Sequence, residues 1–86
     1  MAAAVSGVVN GSQMTITGSG VTGTDVYIIV QFTGPVHRRY AESYRVFVTG
    51  GNVSYVANIP HGAGTYVVKL SDTAGNLLAT SSNIVV

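Results

Sequence analysis

Residues 65–71 alternate with a period of two, Tyr66, Val68 and Leu70 on one side and Val67, Lys69 and Ser71 on the other. That period belongs to a β-strand. Pro60, Gly62 and Gly64 set a corner before it, and residues 72–76, Asp-Thr-Ala-Gly-Asn, supply a turn after it, which predicts a central strand. The same alternation recurs upstream. Residues 5–9 and 12–17 flank Asn10-Gly11, a two-residue hairpin signal, with Met14 and Ile16 facing a core and Thr15 and Thr17 facing out. Residues 25–33 place Val26, Ile28, Val30 and Phe32 on one face and Tyr27, Ile29, Gln31 and Thr33 on the other. Residues 18–24 and 34–43 read as polar connections, the second a solvated loop carrying Arg38, Arg39 and Glu42.

Residues 44–49 and 52–59 flank Gly50-Gly51, so a two-residue turn pairs Val48 with Val53, Val46 with Tyr55 and Tyr44 with Ala57. Residues 77–86 form a last strand, interrupted by the polar stretch 80–83, where a bulge or a change of sheet is expected. No helical period is sustained. Seven short strands in 86 residues predict an all-β, seven-stranded sandwich forming one domain over 1–86. Because two residues cannot carry a chain between sheets roughly 10 Å apart, strands 44–49 and 52–59 are expected to share a sheet with 5–9 and 12–17. Strands 25–33, 65–71 and 77–86 then form the other, and 34–43 makes the crossing. The expected core is Tyr66, Val68, Leu70, Ile28, Val30, Val46, Val48 and Tyr55. Tyr27, Ile29 and Val67 are expected on the outside of one sheet, Phe47 and Val56 on the outside of the other.

Composition changes the picture in one respect. Charged residues make up 8% of the chain, against about 25% in an ordinary soluble domain. With a formal net charge of +1 and 47% hydrophobic residues, little electrostatic repulsion keeps copies apart. Such a surface suits contact with other proteins. The absence of cysteine removes disulfides and thiolate metal sites. No apolar run reaches the roughly 20 residues of a membrane span, and the start Met1-Ala2-Ala3-Ala4-Val5 lacks the basic and apolar segments of an export signal.

Little catalytic chemistry is present. Two histidines, His37 and His61, and three carboxylates, Asp25, Glu42 and Asp72, show no metal-ligand spacing. No Gly-x-Ser-x-Gly elbow or nucleophile and base motif occurs. Neither an enzyme nor a cofactor is expected. His37, Arg38, Arg39 and Tyr40 form one basic cluster, suited to a phosphate, a sugar acid or an acidic protein patch. Nucleic-acid binding calls for a broader positive field and is set aside.

The stretch from Pro60 to Asn76, with its proline, glycine, aromatic and Asp-x-x-Gly-Asn turn, resembles the penultimate strand and hairpin of bacterial and phage immunoglobulin-like domains. The resemblance extends as strand order over nearly the whole chain. It implies a constant-type arrangement and gives Tyr66 the corner role, a hydroxyl bonded to backbone a few residues upstream. Val68 stands where antibody domains have their second cysteine, and tryptophan is absent, so antigen recognition is not implied.

Two functional readings follow. The first is a structural protein resembling the capsid decoration or other accessory proteins of tailed phages, made in the host cytoplasm and resident in the virion. Its partner is a major capsid protein or another virion protein, and it is open to homo-oligomerisation. Its contacts fall on Tyr27, Ile29, Val67, Phe47 and Val56, with His37, Arg38, Arg39 and Tyr40 as a polar rim. The second is an extracellular adhesion module from a larger bacterial protein, binding a host-surface glycan on platforms among Tyr27, Tyr40, Tyr44 and Tyr55.

Overall fold

The computed structural model describes residues 3–34, 39–59 and 63–86. Eight strands lie among them: β1 (Ala4–Asn10), β2 (Gln13–Ser19), β3 (Asp25–Thr33), β4 (Arg39–Phe47), β5 (Val53–Asn58), β6 (Thr65–Ser71), β7 (Leu77–Thr80) and β8 (Ile84–Val85). All pair antiparallel, in one sheet of order β1-β2-β5 and a second of order β4-β3-β6-β7, with β8 also on β6. The two sheets pack face to face as a sandwich. Met14, Ile16, Val53 and Ala57 from the first meet Val26, Ile28, Val30, Phe32, Tyr66, Val68 and Leu70 from the second, all buried. Alternation dictates this, because one apolar set per strand can be withdrawn from water only against another such set.

β6 is the central strand that its pattern predicts, held between β3 on one side and β7 and β8 on the other. Of the expected core, Tyr66, Val68, Leu70, Ile28 and Val30 are buried, while Val46, Val48 and Tyr55 are half-buried against it. Residues 60–62, which the corner role of Tyr66 invokes as partners, lie outside the described residues. The interruption in the last strand is real, and both pieces stay on β6. Ser81 fills the break, its Oγ accepting from Val68 N–H at 2.9 Å and its own N–H donating to Val68 C=O at 2.8 Å. Between Thr80 opposite Lys69 and Ile84 opposite Tyr66 the last strand holds one residue more than β6, as a bulge does, and a separate register shift lies at the start of β7, between Leu70 and Ser71.

Two expectations are corrected. The first hairpin turns on Gly11 and Ser12, since Asn10 pairs with Gln13. Gly11, at φ 64°, takes the position where such a turn needs glycine, and the shift sets Val9 opposite Met14 rather than Ser12. The second correction is larger. Residues 44–49 and 52–59 do not share a sheet: β4 pairs along its whole length with β3, from Asp25 opposite Phe47 to Thr33 opposite Arg39, whereas β5 pairs with β2. The constant-type partition is therefore wrong, and the chain crosses between sheets at residues 48–52. Arg39 to Ser43 belong to a strand and not to a solvated loop, because an edge strand can pair its backbone on one side while its polar side chains stay in water.

Candidate functional site

Cross-strand register decides which outward residues touch. On the five-stranded sheet Tyr27 lies between Arg45 and Ser71, Ile29 between Ser43 and Lys69, and Gln31 between Ala41 and Val67. Ile29 and Val67 are therefore diagonal neighbours, and Tyr27 stands two residues along the same strand from Ile29. Phe47 opposes Asp25, diagonal to Tyr27. Phe47 thus belongs to this face and not, as the sequence suggested, to the face that carries Val56. The four form a stripe, Phe47-Tyr27-Ile29-Val67, of which Phe47 is 82% exposed and the rest are half-buried.

Charges border the stripe. Arg45 donates from Nε to Asp25 Oδ2 at 2.6 Å and forms an ion pair with the same carboxylate through Nη2. Beside Tyr27 and Ile29 a depression of about 240 Å³ opens, floored by the small residues Ser43 and Ser71 and walled by the turn after β6 at Asp72, Thr73 and Gly75. That turn is tied by one side chain. Asp72 Oδ1 accepts from the N–H groups of Ala74 and Asn76 at 3.0 and 2.8 Å, and Oδ2 accepts from Asn76 Nδ2 at 3.0 Å. The Asn76 side chain and then its backbone hold the carboxyl below the usual carboxylate range.

The opposite face has a different chemistry. None of β1, β2 and β5 contains Asp, Glu, Lys, Arg or His. Six of the chain's seven charged residues lie on the five-stranded sheet or in the turn after β6, at Asp25, Arg39, Glu42, Arg45, Lys69 and Asp72; Arg38 lies outside the described residues. Across the outside of the three-stranded sheet, Val8, Thr15 and Val56 form one row and Ser6, Thr17 and Ser54 the next. The hydroxyls of Ser6 and Thr17 are 3.1 Å apart, and Val8 and Val56 are 68% and 52% exposed. A shallow depression of about 460 Å³ lies over Gly18, bordered by Ser6, Thr17, Ser19, Asn52 and Ser54. The asymmetry is present in the sequence, where residues 3–24 and 48–59 are free of charge; the expected sheet joins those segments but adds 44–49 with Arg45, and the topology moves that strand to the other sheet.

The basic cluster is only partly described. His37 and Arg38 lie outside the described residues. Arg39 faces outward opposite Thr33, and Tyr40 lies on the other side of β4 with its ring 6.0 Å from that of Phe32. Tyr44 and Tyr55, named as glycan platforms, are half-buried and turn their rings to each other across the sandwich edge, centroids 4.8 Å apart. Tyr44 also donates its hydroxyl to Glu42, and this bond, with burial and the nearby carboxylate charge, pushes the phenol up to about 12. Among the described residues no three His, Asp or Glu side chains come together.

Neither a family model, a curated protein nor a solved structure matches the chain.

Proposed function

We propose that this protein is a non-catalytic structural component that docks on a larger protein assembly through the outer face of its three-stranded sheet, as a capsid decoration or other accessory protein of a tailed-phage virion. The observation that carries the reading is the charge-free layer formed by β1, β2 and β5. Burying an ion without a partner costs several kcal/mol, whereas hydroxyl and amide groups can exchange water for hydrogen bonds across a contact at little net cost. The row Val8-Thr15-Val56 supplies the apolar centre that an interface core requires, and the Ser6-Thr17-Ser54 row beside it supplies donors and acceptors. Of the five outward hydrophobes expected to make contact, Val56 belongs to this face. An immunoglobulin-like lineage accommodates the strand order if the fourth strand has joined the third instead of the fifth.

The test is to identify the protein in purified particles by mass spectrometry and then load folded Val56→Lys and Thr15→Lys variants. Each should reduce occupancy strongly, because each would bury a lysine without a partner. Wild-type occupancy in both would show that the face is wrong. Absence of the protein from any particle would favour the extracellular adhesion reading over the virion one.

A further inference from the structure

One edge of the charge-free sheet ends in open backbone hydrogen-bonding groups. β5 pairs with β2 alone and is therefore an edge strand. Ile59 N–H donates to Ser12 C=O at 2.8 Å, and Ile59 continues the register that sets Asn58 opposite Gln13. Bonded and non-bonded pairs alternate along an antiparallel ladder, so Ala57, Tyr55 and Val53 bond to β2, whereas the N–H and C=O groups of Ser54, Val56 and Asn58 point away from it. Asn52 shares their orientation, and its N–H and C=O are the groups bonded to Thr49. There β4 leaves for the other sheet, and no described residue occupies the places beside Ser54, Val56 and Asn58. Open edges are ordinarily blunted by charge, proline or shortness. β4 carries Arg39, Glu42 and Arg45, β7 is four residues long, and β1 has Gly7 at its centre. β5, Val-Ser-Tyr-Val-Ala-Asn, has none of these devices and is rich in strand formers.

We propose that β5 pairs antiparallel with β5 of a second copy of the chain, about a two-fold axis perpendicular to the sheet and centred on Val56. Unpaired backbone groups in a row select an extended strand as their occupant, and this strand fits itself. Setting Val56 opposite Val56 of the second copy puts Ser54 opposite Asn58 on either side of the axis, so every open N–H and C=O finds its partner in the same set of residues. The register is bounded at both ends: the Thr49 bridge closes the edge at Asn52, and Pro60 has no N–H to donate. A slide of two residues either way leaves one open place unpaired on each strand. On the outer face the axis joins two β-branched valines, flanked by serine against asparagine, which can hydrogen-bond. A two-fold axis through a strand brings its charges near their own copies, and β5 has none. The product is one continuous sheet, β1-β2-β5-β5-β2-β1, with the two charge-free faces side by side. The contact is narrow, so pairing depends on concentration. It forms in solution and stands independently of the docking proposed above.

Sedimentation equilibrium of the full chain, with hydrogen exchange followed residue by residue in dilute and concentrated protein, tests it. The wild type should dimerise reversibly. The amides of Ser54, Val56 and Asn58 should exchange more slowly as concentration rises, while those of Tyr55 and Ala57, already bonded to β2, stay slow throughout. Val56→Pro removes an N–H that the single copy does not use, at an edge position where proline is tolerated. Because the axis applies the change twice, it should weaken dimerisation about tenfold or more, with the unfolding midpoint showing that the chain remains folded. Ser54→Pro serves as a second variant of the same kind. A monomeric wild type at every concentration overturns the proposal. So does a dimer in which the three amides exchange as fast as in dilute protein, or one that both proline variants leave intact. Slowing that appears only on binding to a particle gives the edge to an extended segment of the assembly and overturns it equally.

Discussion

Thr49 and Asn52 exchange a pair of backbone hydrogen bonds, 2.9 and 3.0 Å long, around Gly50 and Gly51, and the two strands part at once on either side. Val48 N–H already donates to the Thr24 carbonyl just before β3, at 2.8 Å, and Val53 already pairs with Gly18 in the other sheet. A single bridge at a corner where the sheets converge therefore does the work of a crossover. Gly51 C=O also accepts from Val21 N–H at 3.0 Å, which ties the corner to the loop before β3.

The corner depends on two left-handed residues, Gly50 at φ 59° and Gly51 at φ 78°. A side chain in that region costs roughly 1–2 kcal/mol, and asparagine tolerates it best. Gly51→Ala should lower stability by about that amount in urea denaturation, through its backbone conformation, since its Cβ would meet the Val21 carbonyl oxygen only at 3.4 Å. Gly50→Asn, in open space, should be the milder change. A Gly51→Ala variant as stable as the wild type would show that the corner does not need its left-handed glycine.

Gly18 shows how closely the sheets approach. It occupies an inward position of β2 between Val5 and Val53, and a Cβ there would sit 2.6 Å from Val53 Cγ2 and 2.9 Å from Leu70 Cδ1. Gly18→Ala should destabilise by about 1–3 kcal/mol through overpacking. Val68→Ala should cost a similar 1–3 kcal/mol by the opposite route, lost burial and a cavity. The double variant tests the packing account. Gly18 meets Val53 and Leu70 rather than Val68, so near-additive losses are expected, and a Gly18→Ala variant as stable as wild type would show that the sheets can move apart.

The Asp72 turn should make stability sensitive to acid. Its carboxyl titrates below the ordinary value because Asn76 and the Ala74 N–H bond the charged form. A folded-state pKa below the unfolded one gives stability that is present above the unfolded value, near 3.9 for Asp, and lost as pH falls through the folded value. Unfolding midpoints measured from neutral pH to about pH 2 should therefore decline in that window. Asp72→Asn should flatten the decline, and an identical acid limb in the variant would show that the Asp72 turn is not its source.

Most of the fold can be read from local pattern because β2, β3 and β6 each carry an unambiguous alternation, and Met14, Ile28 and Val68 fall inward as it dictates. The partition of β4 cannot be read so. Its inward residues Val46 and Tyr44 meet Val26 and Ile28 in the structure, yet they would meet Tyr55 and Ala57 equally well in a hairpin, and a Gly-Gly turn looks the same whether one bridge or a whole ladder follows it. Phe47 went to the wrong face with its strand. Tyr27, Ile29 and Val67 were placed correctly because they lie on β3 and β6, whose register the pattern fixes. The sequence pattern joins the segments of the charge-free layer, 5–9, 12–17 and 52–59, but hides its freedom from charge by adding 44–49, whose Arg45 belongs to the other sheet.

Confining charge to one layer gives the two sides of the molecule different responses to ionic strength. Added salt screens Asp25, Arg45 and Lys69 over a Debye length of about 8 Å at physiological concentration, and so loosens any contact that relies on them. The strands β1, β2 and β5 carry no charged side chain for counterions to screen. A strongly excluded salt such as sulfate acts on it only by favouring burial. Whatever binds there should hold through osmotic and ionic changes that reset the other face.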